Sequence, residues 1–277
     1  MTEKQTKVKT VFAVINLAHS EQEQHNVAQY AMQLAQHLGL RVVLYPKRNE
    51  TGLSFQEGVD RVNDIAKQLP DIDIIVSKTQ SNIFNLFQSL HTIAQKEQAK
   101  FIIMGVKKEQ AAPLGRAIWE STQKSFIKTI FLPVIIGSAS FDNITIAVDA
   151  TRKVQKLKIV NQLVRTFDST IHVFVEHAPK ESEERCLIQN NLKHVLEYLS
   201  IRRIRFLVIQ ARKIDNYSKR LCKYSRKHSD ILIVEVDPGK IESIVKQNIE
   251  MLLCVEKYAT PVMMVKTHIT GNYQNFS

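Results

Sequence analysis

The stretch Phe101-Ile-Ile-Met-Gly105, followed by an amphipathic segment and then by Leu132-Pro-Val-Ile-Ile136, decides the fold because the chain writes it twice. In the later copy Ile231-Leu-Ile-Val-Glu235 precedes a second amphipathic segment and then Thr260-Pro-Val-Met-Met-Val265. Working outward, the starts match too. Val11-Phe-Ala-Val-Ile-Asn16 is echoed by Ile144-Thr-Ile-Ala-Val-Asp149. Pro133 and Pro261 are taken as equivalent positions, each opening a last strand. The chain therefore reads as two similar units, 1–140 and 141–277, joined by a short connection from Gly137 to Asn143. A connection that short predicts units packed against each other.

Between these anchors, short apolar runs alternate with amphipathic segments. In the first unit 11–15, 42–45, 72–76, 101–104 and 134–136 read as strands. Ser20 and Glu23 have capping-box spacing for a helix start. That helix carries Val27, Ala31, Leu34, Ala35 and Leu38 on one face, and Gly39 is placed to end it in a left-handed conformation. Apolar residues from Phe55 to Leu69 and from Ile83 to Ala94 recur at helical spacing, and a fourth helix is predicted over about 118–130. The second unit repeats the order, with strands at 144–148, 171–175, 205–209, 231–234 and 262–265. Its helices are predicted over 154–167, 184–199, 217–227 and 241–257. Apolar strands joined by helices imply an α/β fold with parallel strands covered on both faces, because parallel strands need crossovers and helices usually supply them.

With 277 residues, 44% of them hydrophobic, the chain is long enough for two ordinary cores. It lacks a run of the roughly 20 apolar residues needed to span a bilayer, and its first ten residues are too polar for a secretory signal. The expectation is a cytoplasmic protein. Cys186, Cys222 and Cys254 form no close pair, which predicts buried or idle thiols in a reducing compartment.

The formal net charge is +11, and the basic excess concentrates between Arg202 and Lys227, where Asp215 is the sole acid. Arg212, Lys213, Lys219 and Arg220 are the candidate anion patch of this stretch. The same residues also read as a solvated helix face, and on that reading nucleic acid is not the expected partner; the competing reading is a module that docks on nucleic acid or an anionic surface. Tyr217 and Tyr224, seven apart with Leu221 between them, fit a core-facing stripe as readily as a stacking platform.

Ligands of an open parallel sheet bind beyond the carboxyl ends of its strands, where strand order reverses. That rule selects Asn16 and Asp149 after the first strands, and Gly105, Lys107 and Lys108 after the fourth strand of the first unit. Histidines stand near these ends, His19 and His25 in one unit and His172 and His177 in the other, without metal-ligand spacing to carboxylates or cysteines. Ser121 lacks the glycine-flanked turn of a nucleophile elbow. No catalytic constellation emerges, so a non-enzymatic protein is expected.

Two such units, with Ala147-Val148-Asp149 closing a first strand and Pro-Val in the last, resemble the universal stress proteins over roughly residues 9–266. The resemblance implies two tandem doubly wound domains, each a five-stranded parallel sheet of order 3-2-1-4-5 with helices on both faces. It also implies a stress-related role through protein contacts. Members associate through their fifth strands, which makes 134–136 and 262–265 candidate pairing edges, within one chain or in a homodimer.

Many members bind ATP on a glycine-rich run, G-x2-G-x9-G followed by Ser or Thr, whose glycines let backbone amides approach phosphate. Here Gly105 holds the first glycine position and Lys108 the second, while Glu120-Ser121 fall where Gly-Ser would stand, counting back from Pro133. In the second unit Glu235, Pro238 and Asn248 replace all three glycines. No cofactor is therefore expected. The competing reading is an adenine-nucleotide sensor in which Lys107, Lys108 and Ser121 substitute for the glycine loop. Asn16 and Asp149 read equally as loop caps or as adenine contacts.

Overall fold

The structure, a computed structural model, describes residues 9–47, 52–69, 73–77, 86–107, 127–150, 155–177, 179, 182–211, 217–236 and 260–266. In chain order the elements are β1 (Thr10–Asn16), α1 (Glu21–Leu38), β2 (Arg41–Lys47), α2 (Phe55–Lys67), β3 (Ile74–Val76), α3 (Leu86–Lys96), β4 (Ala99–Val106) and β5 (Lys128–Pro133). They continue with β6 (Asn143–Val148), α4 (Gln155–Phe167), β7 (Thr170–Val175), α5 (Glu183–Ile201), β8 (Phe206–Gln210), α6 (Tyr217–His228), β9 (Ile231–Val236) and β10 (Val262–Lys266).

Local chemistry accounts for the helix ends. Ser20 and Glu23 make the reciprocal capping box at the start of α1, and Gly39 closes that helix at φ 62°. Ser54 and Glu57 repeat the box on α2, and Ser182 caps α5. β1 buries all seven of its residues, as a strand covered on both faces must.

The strands form one ten-stranded sheet of order β3-β2-β1-β4-β5-β10-β9-β6-β7-β8. This corrects the expectation of two separate five-stranded sheets, although each run of five keeps the order 3-2-1-4-5 within the whole. The join is antiparallel, with Phe131 opposite Val262, Ile130 opposite Met263 and Thr129 opposite Met264. The other strand pairs are parallel. An open fifth strand would present a row of backbone donors and acceptors, and pairing β5 with β10 satisfies both rows at once.

The fifth strand is Lys128–Pro133, not 134–136, so residues 128–130 belong to a strand and not to a helix. Thr129, Ile130 and Phe131 are β-branched or aromatic, and this local preference outweighs the helical spacing read across them. The remainder of that predicted helix lies outside the described residues, as does the one over 241–257. Register shows the consequence: Gly105 stands opposite Leu132, whereas Glu235 stands opposite Val265. Pro133 thus ends β5 while Pro261 precedes β10, and the two prolines are not structurally equivalent.

Helices cover both faces, and one hydrophobic cluster runs across the join. Tyr30 of α1, Phe141 of the connection and Phe167 of α4 form a chain of rings, with centroids 6.1 Å apart from Tyr30 to Phe141 and 4.5 Å from Phe141 to Phe167. The connection is also tied to α1 by hydrogen bonds: Asn26 Nδ2 donates to the Val134 carbonyl at 2.9 Å and the Ala139 amide to Gln33 Oε1 at 2.6 Å. No helix among the described residues is long and apolar enough to cross a membrane. Cys222 is buried on α6 and disulfide-bonded, which departs from the expectation of buried or idle thiols, whereas Cys186 is exposed and free.

Candidate nucleotide clefts

Strand order reverses between β1 and β4 and again between β9 and β6, so two candidate clefts open at the carboxyl ends of those strands.

In the first cleft the structure brings Asn16 and Gly105 together through His19. Asn16 ends β1 and is buried. Its Oδ1 accepts from the Ala18 amide at 3.2 Å, and its Nδ2 donates to His19 Nε2 at 3.1 Å. The His19 amide in turn donates to the Asn16 carbonyl at 3.0 Å. Both polar ends of Asn16 are thereby engaged in its own loop. The His19 ring, itself buried, lies against Gly105: a Cβ on that glycine would stand 3.7 Å from His19 Cε1, 2.7 Å from Val27 and 2.9 Å from Val134. Close packing of β4 on α1 explains Gly105 without any phosphate.

Lys107 is committed elsewhere. Its Nζ stands 2.6 Å from Glu23 Oε2, the same carboxylate that caps the Ser20 amide. Burial pushes the Glu23 carboxyl up, but the hydrogen bonds from Lys107 and Ser20 outweigh it and hold it below its ordinary value. The lysine expected to meet a phosphate thus binds the start of α1. Lys108 and Ser121 lie outside the described residues. The count that selected Ser121 took Pro133 as the start of the fifth strand, and Pro133 is its end.

The second cleft holds Asp149, whose carbonyl accepts from Asn191 Nδ2 of α5 at 2.8 Å. Neighbouring strand ends add Glu176 after β7 and the buried Glu235 on β9. Tyr217 donates its hydroxyl to the Phe174 carbonyl at 3.1 Å, and burial together with the nearby Asp149 and Glu176 charges raises its pKa. From α4, the buried Lys156 reaches back and donates Nζ to the Ala147 carbonyl at the end of β6. Among the described residues three carboxylates thus stand on adjacent strand ends, a charge arrangement that disfavours a triphosphate, and Lys156 is bonded to the strand it faces.

On α6, Leu221, Cys222 and Ser225 are buried, Lys219 is exposed and Arg220 half-buried, while Arg212 and Lys213 lie outside the described residues. Tyr217 and Tyr224 face inward and pack on Phe174, with centroids 5.7 and 5.4 Å away. They are not a stacking platform. Among the described residues no cluster of three or more metal-binding side chains exists. Two roles escaped the sequence reading, that of His19 in bridging Asn16 and Gly105 and that of Lys156. His19 had a signal in the Asn16-Leu-Ala-His19 spacing of a side-chain-closed turn; Lys156 had none, because one lysine in an amphipathic helix looks like any solvated residue.

Comparison of the folded chain decides its class. It is similar to a universal stress protein from Archaeoglobus fulgidus, at a TM-score of 0.62 and 14% identity, over 93% of this chain and 97% of that one. The fold is that of the universal stress proteins. A putative universal stress protein from Pseudomonas aeruginosa matches at a TM-score of 0.56 and 14% identity, over 94% of this chain and 93% of that one. No family model matches the sequence, and no curated protein is detectably similar to it. At these identities the universal-stress fold is shared through backbone architecture, and the clefts must be argued from their own residues.

Proposed function

We propose that this chain is a tandem universal-stress-type protein of two units, 1–140 and 141–277, that acts in the cytoplasm through protein contacts and not as an enzyme. Its nucleotide clefts are degenerate, and each is closed by the chain's own side chains. The observation that carries this reading is the engagement of Asn16 with Ala18 and His19, and of Lys107 with Glu23, at the one cleft that keeps a glycine. Opening that cleft to ATP requires breaking the Lys107–Glu23 pair and displacing the buried His19. The protein-contact part is supported by the end strand β8, where Leu207 and Val208 are exposed, and by the exposed Ile201 at the end of α5.

The test is calorimetric titration of the full chain with ATP and magnesium into the millimolar range. No saturable heat is expected. Saturable binding lost in Lys107→Ala would establish the competing sensor reading and overturn this one.

A further inference from the structure

At the end of the sheet opposite the two clefts lies a polar cavity of about 430 Å³. It forms where α6 runs out and the chain turns into β9, and it is lined by Arg226, Lys227 and His228 above His172 of β7. Nothing in the universal-stress clefts accounts for it, since those open at the carboxyl ends of the strands and this one at their amino ends.

The floor is fixed without a ligand. Tyr224 and His172 Nδ1 are hydrogen-bonded at 3.0 Å, and the His228 ring stacks on Tyr224 at 4.7 Å. Asp230 accepts the Asn143 amide on Oδ2 at 2.8 Å and returns its own amide to the Asn143 carbonyl at 2.8 Å. The acid facing the cavity is therefore held by backbone. Arg226 and Lys227 are exposed and make no ion pair with any described residue.

Basic residues in a last helical turn are ordinarily explained by the helix dipole. That explanation needs neither a concavity nor a histidine only 6% exposed lining it. A planar guanidinium with paired donors, an ammonium and two imidazoles line this concave site beside the single carboxylate of Asp230, a donor set that can meet the oxygens of a phosphate group, and the volume is that of a small-molecule site. We propose that this cavity binds the phosphate group of a small phosphorylated ligand, with Arg226 and Lys227 as the charged contacts and His172 as the floor.

The experiment follows the ring protons of His172 and His228 by NMR in the full chain, at fixed pH and ionic strength, titrating inorganic phosphate and, separately, phenyl phosphate against chloride. Saturable shifts at both histidines are expected. The paired variant Arg226→Gln with Lys227→Gln should weaken binding roughly tenfold or more, the loss of two charge-assisted contacts. Lys219→Gln with Lys223→Gln removes the same charge from the same helix and should change affinity less than about twofold, since both lie outside the cavity. Tighter binding of phenyl phosphate than of inorganic phosphate identifies a phosphorylated molecule as the ligand; the reverse order makes free phosphate the ligand and overturns that part of the proposal. Shifts that do not saturate, or equal weakening in both paired variants, would overturn the site itself.

Discussion

Phe131→Ala is expected to destabilise the whole chain by about 3–5 kcal/mol, the usual cost of emptying a buried aromatic position. Phe131 is 1% exposed and lies on β5 between Met104 of β4 and Val262 of β10. Its ring belongs to a cluster that includes residues from both runs of five strands, such as Phe12 of β1 and Leu232 of β9. Because β5 is the strand at which the sheet passes from the first run of five to the second, the cavity weakens both at once. Urea unfolding followed by circular dichroism, with hydrogen exchange at amides of β4 and β9, checks this. The midpoint should fall and exchange should quicken in both strands together; quickening confined to β4 would mean that the two runs are stable separately and that their antiparallel pairing contributes little.

The second large effect is on pH dependence. His91 of α3 is buried, its Nδ1 has no hydrogen-bond partner, and burial alone lowers its pKa from 6.5 to about 4. An unfolded chain therefore takes up a proton at His91 that the folded chain refuses between these values, so stability is full above pH 6.5 and falls as pH drops toward 4. A gap from 6.5 to about 4 corresponds to about 3 kcal/mol. His172, whose pKa is lowered by burial and then by His228, adds in the same direction. Glu23 titrates lower and loses its contribution only as pH falls past the ordinary carboxylate range. Urea midpoints at pH 7, 5.5 and 4.5 measure the slope, and His91→Phe should flatten it in that window. An unchanged slope in the variant would show that the imidazole is not the group responsible.

Much of this architecture is legible in the residues, for reasons that can be named. Strands buried on both faces leave continuous apolar runs such as 101–104, and capped helices leave Ser-x-x-Glu at 20–23. These signals are local, and they place most elements to within a few residues. What is not legible is the last strand of the first unit. Lys128-Thr-Ile-Phe-Leu-Pro133 follows directly on an amphipathic segment, so its first residues continue a helical pattern, and the proline invites a match to Pro261 that register denies. That slip also moved the count on which Ser121 depended. The single ten-stranded sheet is likewise invisible in the residues, because the pairing of β5 with β10 is a long-range choice made by two strands that each look like an ordinary parallel strand.

The clefts divide in the same way. Loss of the glycine pattern is visible directly, since Lys108, Glu235 and Pro238 are simply not glycine. The contacts that engage the cleft residues are not, because they join side chains far apart in sequence. Lys107 meets Glu23 across the sheet end, and Gly105 owes its identity to Val27 and Val134. A glycine that fits a nucleotide motif and a glycine that admits a helix are the same letter.

The most direct test of closed clefts is the nucleotide content of gently purified protein. Native mass spectrometry, followed by denaturing release of any bound molecule, should find the mass of the chain or of a whole number of chains, with no adenine nucleotide. A stoichiometric adenine nucleotide released on denaturation would contradict the account, which has Lys107 and His19 engaged with Glu23 and Asn16 in place of a nucleotide.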